Sequence, residues 1–151
     1  MKKKYKLEPY NNKNLHLLFK WKNEKTTRYN SVNKRFIKMH EHKNWIKKNI
    51  NCKKNRLYIF YYNKKPAGVC AIIKKKKFYY LNYSIDKKYR KRGFSKVMLS
   101  MFLKRIKARS YKNKVFAIVL KKNFTSYKIL SKLKFVLFNK NKIFFKMKME
   151  I

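Results

Sequence analysis

The hydrophobic period of this chain changes at Gly93, and that switch constrains the fold more than any other feature. Ahead of it stand three β-rich runs in close succession: Arg56 to Tyr62, Val69 to Lys74 and Phe78 to Ile85. Asn63 to Gly68 supplies a turn between the first two, so the three runs predict an antiparallel meander. Beyond the switch, Val97, Met98, Met101, Phe102 and Ile106 mark a helix that opens at Gly93 to Ser95. An apolar strand follows at Val115 to Leu120, then a helix over Asn123 to Leu133 with Asn123 as its N-cap. Phe135 to Asn139 and Ile143 to Met149 close the chain as a hairpin.

The first third adds a strand at Tyr5 to Pro9 and a helix at Asn14 to Asn23, where Leu15, Leu18 and Phe19 share a face. A second helix spans Met39 to Ile50, with His42, Trp45, Ile46 and Ile50 on one side. The predicted order is β-α-α-β-β-β-α-β-α-β-β. A meander followed by strand–helix alternation places the chain in the α/β class, built on a mixed α+β sheet.

At 151 residues there is room for one domain, taken as 1–151, and a chain of this size can build its own core. Apolar residues at 45% and aromatics at 17% exclude disorder. Cys52 and Cys70 have no metal-ligand spacing and read as free thiols. Met1 to Lys6 looks like a signal-peptide n-region, but no apolar h-region follows it. No apolar run approaches the roughly 18 residues of a membrane span, so the chain reads as soluble and cytoplasmic, with no membrane partner.

The formal charge of +40 admits two readings. Dense lysine suits nucleic acid, through release of phosphate counterions. The alternative is drift in an AT-rich genome, which also accounts for 2 Gly and 2 Pro beside 12 Tyr and 12 Phe. The basic residues are mostly lysine and are spread through every segment, whereas a nucleic-acid surface favours the bidentate fork of arginine. Composition therefore favours drift. Non-specific binding to polyanions at low salt is expected either way.

The segment at the period switch reads Tyr83-Ser-Ile-Asp-Lys-Lys-Tyr-Arg-Lys-Arg-Gly-Phe-Ser-Lys96. A helix N-terminus exposes backbone N–H groups and a partial positive charge, which makes an anion site. Gly93 lets the backbone approach a phosphate, and Arg90, Arg92 and Lys96 add formal charge. An ordinary basic loop capped by Gly and Ser is the alternative. Here the chain resembles the GNAT superfamily of N-acetyltransferases, whose pyrophosphate loop reads R/Q-x-x-G-x-G/A: Arg90, Gly93 and Ser95 fall on its three positions. Val119 to Phe135 resembles that family's later signature, with Asn123, Ser126, Lys132 and Phe135 matching.

The resemblance implies a GNAT-type acyl-CoA N-acyltransferase fold, acetyl-CoA as co-substrate and no metal. It implies a donor site made of Arg90, Lys91, Arg92, Gly93, Phe94, Ser95 and Lys96, with backbone at Ser84 and Ile85, and with Asn123 and Ser126. Two positions depart from the pattern. The tyrosine that protonates the departing thiolate in related enzymes falls on Leu130, and the glycine before Phe135 is Lys134. A left-handed Lys134 would cost about 1 kcal/mol. Tyr127, one turn before Leu130, is the substitute acid; Leu130 packing in the core with Leu133 and Phe135 is the alternative.

Trp21-Lys-Asn, Arg28 and His40-Glu-His-Lys-Asn-Trp45 look like the branch of the family that includes N-acetyltransferases of UDP-linked 4-amino-sugars in pseudaminic-acid-type pathways. The resemblance therefore implies a small-molecule amine acceptor, best a nucleotide-linked amino sugar, met by Trp21, Arg28 and His42. Core packing is the competing role for Trp21 and Trp45. That branch shades into ribosomal-protein N-terminal acetyltransferases, the alternative function. A non-catalytic basic binding protein on the same scaffold is the alternative of another class. Tyr80 and Asn82 are candidates to position a water that takes the amine proton, since none of the five acids is an obvious base. The oligomeric state is left open, a dimer being one option.

Overall fold

The computed structural model describes residues 4–108 and 113–151. Its elements are β1 (Tyr5–Pro9), α1 (Leu15–Asn23), α2 (Lys25–Tyr29), α3 (Met39–Ile50), β2 (Arg56–Tyr62), β3 (Lys65–Lys75), β4 (Phe78–Ile85), α4 (Phe94–Lys107), β5 (Lys114–Leu120), α5 (Phe124–Lys132), β6 (Val136–Lys140) and β7 (Phe144–Glu150). The strands form one seven-stranded sheet in the order β1-β2-β3-β4-β5-β7-β6. Every neighbouring pair is antiparallel except β4 and β5, which run parallel. This is the mixed α/β sheet expected from the meander and the switch.

Strand alternation divides the core in two. On one face Tyr58, Phe60, Cys70, Ile72, Leu81, Ile85, Val115, Ala117 and Met147 meet α4 and α5. Helix α4 presents Phe94, Met98, Leu99, Phe102, Leu103 and Ile106 to that face, an apolar stripe at helical spacing. On the other face Leu18 and Trp21 of α1 and Ile46 of α3 close over Ile59. Cys52 and Cys70 are free thiols. No helix is long and apolar enough to cross a membrane among the described residues.

Three local features differ from expectation. The turn expected over Asn63 to Gly68 is two residues long, with Asn63 and Lys64 both at positive φ (47° and 65°), and β3 begins at Lys65. Two consecutive left-handed residues match the twist of a hairpin, so the turn closes early. Pro66 is tolerated within β3 because the register shifts between Phe60 and Tyr61, opposite it. Gly68 lies inside the strand: a Cβ there would stand 2.7 Å from Ile85 Cδ1 and 2.8 Å from the Ser84 carbonyl. Second, α2 is additional, a five-residue helix with no buried residue and no apolar period to announce it. Third, α3 buries His42, Ile46 and Asn49, while Trp45 and Ile50 remain 42% and 44% exposed. Positions 42, 46 and 49 follow the helical period, and Trp45 stands beside that stripe rather than in the core expected for it.

Candidate active site

Parallel pairing between β4 and β5 is confined to Tyr79 with Val115 and Tyr80 with Phe116. From Leu81 to Ile85, β4 pairs only with β3 on its other side. The sheet therefore opens into a cleft, and the β4 edge facing β5 carries peptide groups without a ladder partner. Buried backbone donors and acceptors need partners, so this edge suits an extended, amide-bearing ligand laid in as an additional strand.

Helix α4 starts at the β4 end of that cleft. No side chain caps its first turn, so its leading N–H groups form an anion site. Gly93 holds φ 74° at the N-cap, and an added Cβ would meet no protein atom within 4 Å. Its neighbourhood is open, which is the space a phosphate requires. The adjoining loop is bolted in place from α1 and α2. Asp86 Oδ2 accepts from Trp21 Nε1 at 2.8 Å, and Asp86 Oδ1 accepts from the Lys88 N–H. Arg90 donates Nη2 to Glu24 Oε2 at 2.7 Å and to Thr27 Oγ1 at 3.2 Å, and Nε to the Ile85 carbonyl at 3.0 Å. Glu24 also caps α2, accepting from the backbone of Thr26 and Thr27. Burial pushes its carboxyl up, but these two N–H donors and the Arg90 guanidinium outweigh that and hold it at about 2.

An uncapped helix N-terminus, an open glycine corner and a split sheet lie together at one cleft, and residues 5–136 match the family described as Acetyltransferase (GNAT) domain. The chain belongs to that family. It is an acetyltransferase of the GNAT type, and the solved structures it resembles agree in fold. A domain from Methanocaldococcus jannaschii superposes with a TM-score of 0.83 at 18% identity, covering 98% of this chain and 99% of that one. The spermidine N-acetyltransferase of Vibrio cholerae, solved with CoA and spermine, gives 0.81 at 14% identity, covering 98% and 95%. The Campylobacter jejuni N-acetyltransferase PseH gives 0.71 at 18% identity, covering 98% and 99%. No curated protein matches in sequence.

Within this GNAT domain the expected donor residues divide by what their side chains do. Lys91, Ser95 and Lys96 flank Gly93 with their side chains exposed or half-buried. Arg92 lies over the rings of Tyr62, at 5.3 Å, and Phe94, at 5.1 Å. Phe94 is buried among Tyr5, Phe60, Tyr62 and Tyr89, and Ile85 is buried too, so only their backbones can face a ligand. The Arg90 guanidinium is engaged by Glu24, Thr27 and Ile85, which makes it a brace for the loop rather than a free cation. Asn123 caps α5 by accepting from the Ser126 N–H at 3.3 Å. Ser84 is half-buried on β4 beside the cleft.

The expected acceptor residues Trp21, Arg28 and His42 all make contacts within the fold. Trp21 is 5% exposed in the core under α1, with its N–H given to Asp86, so its face is not offered to a base. His42 is also 5% exposed, its ring centroid 5.7 Å from that of Phe19. Burial lowers its pKa, and the ring packs between α3 and α1. Arg28 gives Nε to the Asn23 carbonyl and Nη1 to the Lys34 carbonyl, holding the segment after α2.

Tyr127, the expected substitute acid, packs its ring against Phe124 and, at 4.7 Å, against Phe145 of β7. Strand β5 separates β7 from β4, so the ring lies on the far side of β5 from the cleft edge. Leu130 is fully buried in the cluster that also contains Phe135, as the packing alternative required. Lys134 has the left-handed φ, 69°. Tyr80 and Asn82 stand on the face of β4 opposite the α4 core: Tyr80 is half-buried 6.0 Å from the Phe116 ring, and Asn82 is exposed.

Sequence reasoning missed Glu24, Thr27, Asp86 and Tyr83. Glu24 and Asp86 had a signal, because acids are scarce against a charge of +40 and therefore mark structural contacts. Glu24, Glu41 and Asp86 all accept backbone N–H groups at helix or turn starts. Among the described residues no group of His, Cys, Asp and Glu is placed to hold a metal ion.

Proposed function

We propose that this protein transfers an acetyl group from acetyl-CoA to the primary amine of an anionic small molecule, best a nucleotide-linked amino sugar. The donor half of this reading rests on Gly93. Five other positions, Asn63, Lys64, Lys76, Lys91 and Lys134, hold positive φ without glycine. Left-handed backbone alone therefore does not require glycine in this chain, whereas unobstructed approach to the α4 N-terminus does. Backbone N–H groups from Phe94 onward, with Lys91 and Lys96, would hold the pyrophosphate, and the unpaired edge around Ser84 and Ile85 would take the pantetheine amides. Acetyl-CoA supplies an acetyl group activated as a thioester, and a backbone N–H on that edge would polarise its carbonyl.

The acceptor half rests on charge. A polyamine site needs carboxylates, and this chain has five. Glu24 and Asp86 are committed to bracing the donor loop, and Glu41 to Arg35 and the start of α3. Lys6 and Lys114 pair with the remaining two. A phosphate-bearing amine meets a favourable field instead. Asn82, exposed on β4, positions the water that takes the amine proton, with Tyr80 beside it. An acidic protein N-terminus is the second reading, favoured by the same charge.

The test is acetyl-CoA-dependent thiol release across UDP-amino-sugars, acidic N-terminal peptides, aminoglycosides and polyamines. Turnover is expected with the UDP-amino-sugars and not with polyamines. Preference for a polyamine overturns the acceptor reading, preference for peptides installs the second one, and donor binding without transfer to any amine leaves a non-catalytic scaffold.

A further inference from the structure

The cleft contains one polar link between its two walls that neither the donor loop nor the acceptor reading uses. Tyr83 Oη on β4 and Ser126 Oγ on the first turn of α5 lie 2.5 Å apart. Tyr83 sits in the part of β4 that has separated from β5, two residues before Ile85, and its ring packs against the α4 and α5 core. The link therefore spans the opening between β4 and the element that follows β5. Ser126 is itself fixed, since its N–H donates to Asn123 Oδ1.

Thioester aminolysis leaves a thiolate, and a thiol with a pKa of about 8.5 departs faster when a proton is supplied. Leu130 has none to give and is fully buried, and the Tyr127 hydroxyl belongs to a ring held between Phe124 and Phe145. We propose that Tyr83 is the proton donor to the departing sulfur of CoA, with Ser126 as the positioning residue that holds its hydroxyl at the cleft. The step balances as follows. The amine nitrogen forms a bond to the acetyl carbon, and the C–S bond breaks with its electron pair on sulfur. Tyr83 Oη gives its proton to that sulfur, the nitrogen releases one proton to solvent, and a solvent proton restores the phenol. Burial raises the Tyr83 pKa and the hydrogen bond to Ser126 partly offsets the rise, so the phenol keeps its proton at neutral pH.

This inference rests on the acetyl-transfer reading but can fail separately from it. Tyr83→Phe keeps the ring and is expected to lower kcat on the order of 100-fold, with acetyl-CoA affinity by calorimetry unchanged. The alkaline limb of the wild-type pH profile, where the phenol ionises, is expected to vanish. A second readout needs no turnover: wild type binds CoA more tightly than desulfo-CoA because the phenol hydrogen-bonds the sulfur, and Tyr83→Phe is expected to lose that preference. Ser126→Ala, which leaves the tyrosine in place, is expected to lower kcat by about 10-fold and move the alkaline limb. A Tyr83→Phe enzyme within about threefold of wild type overturns the proposal, as does an equal loss of affinity for CoA and desulfo-CoA, which marks simple packing. If wild type acetylates no amine, the acetyl-transfer reading falls, and the CoA against desulfo-CoA comparison still decides whether Tyr83 meets the sulfur.

Discussion

Two corners of the second half of this GNAT domain hold the same backbone with different residues. Gly93 opens α4 at φ 74°, and Lys134 follows α5 at φ 69°. At Lys134 an L-residue sits in the left-handed region at a steric cost of about 1 kcal/mol, and the chain still turns into β6. At Gly93 the absent side chain leaves a space that no protein atom fills. One corner is a matter of chain geometry alone; the other leaves open space at the α4 N-terminus, which the proposed donor site would use. Glycine is thus informative in this sequence because the other left-handed positions do without it.

The largest expected effect separates the corners directly. Gly93→Asp puts a Cβ and a carboxylate at the proposed phosphate site, and acetyl-CoA affinity by calorimetry is expected to fall on the order of a thousandfold. Lys134→Asp, the matched change at the other corner, is expected to leave that affinity within about threefold. Equal losses would break the distinction and remove Gly93 from the donor site.

Leu130→Tyr probes the core beneath α5. With Leu130 fully buried, the larger ring and its unpartnered hydroxyl are expected to destabilise the fold by roughly 2–4 kcal/mol. Denaturant unfolding measures this, and kcat is expected not to rise. A stable variant with faster turnover would restore position 130 as an acid site.

Lys134→Gly relieves the left-handed lysine and is expected to stabilise by about 1 kcal/mol, raising Tm by about 2–4 °C. An unchanged or lower Tm would show that the Lys134 side chain compensates for its backbone.

The smallest effect concerns the brace behind the Gly93 corner. Glu24 has its carboxyl lowered from 4.5 to about 2, so the folded state binds its proton less readily than the unfolded chain. Its stabilising contribution is complete above the ordinary value and is lost as pH falls from about 4.5 towards 2. The stability advantage of wild type over Glu24→Gln is therefore expected to shrink across that window, while acetyl-CoA binding above it weakens modestly in the variant. A pH-independent difference would mean that the charge of the Glu24 carboxylate, and so its contacts with Thr26, Arg90 and Thr27, contributes nothing to stability.

What was legible followed from local rules. The meander, the switch at Gly93 and the Asn123 cap were readable because period, turn residues and capping act within a few residues of one another. The two-residue turn at Asn63 and Lys64 was hidden by the Pro-Ala-Gly sequence beside it, since the bulge at Ala67 that admits Pro66 appears only in the pairing of β3 with β2. Trp21, Arg28 and His42 were chemically apt for an acceptor. Which way a helix faces depends on what covers it, and the other core of the domain covers Trp21 and His42.

The sequence by itself determined the order of elements apart from α2, the loop at the start of α4 and the scarcity of acids, because each is written in contiguous residues or in composition. Only the tertiary structure decided that Arg90 braces the loop through Glu24, that Tyr127 turns towards β7, and that Tyr83 reaches Ser126. Those partners lie far apart in the chain and meet through the splitting of β4 from β5 and the packing of α1 and α2 against the loop. No local pattern encodes such contacts, since their geometry is set by how whole elements pack rather than by the residues beside them.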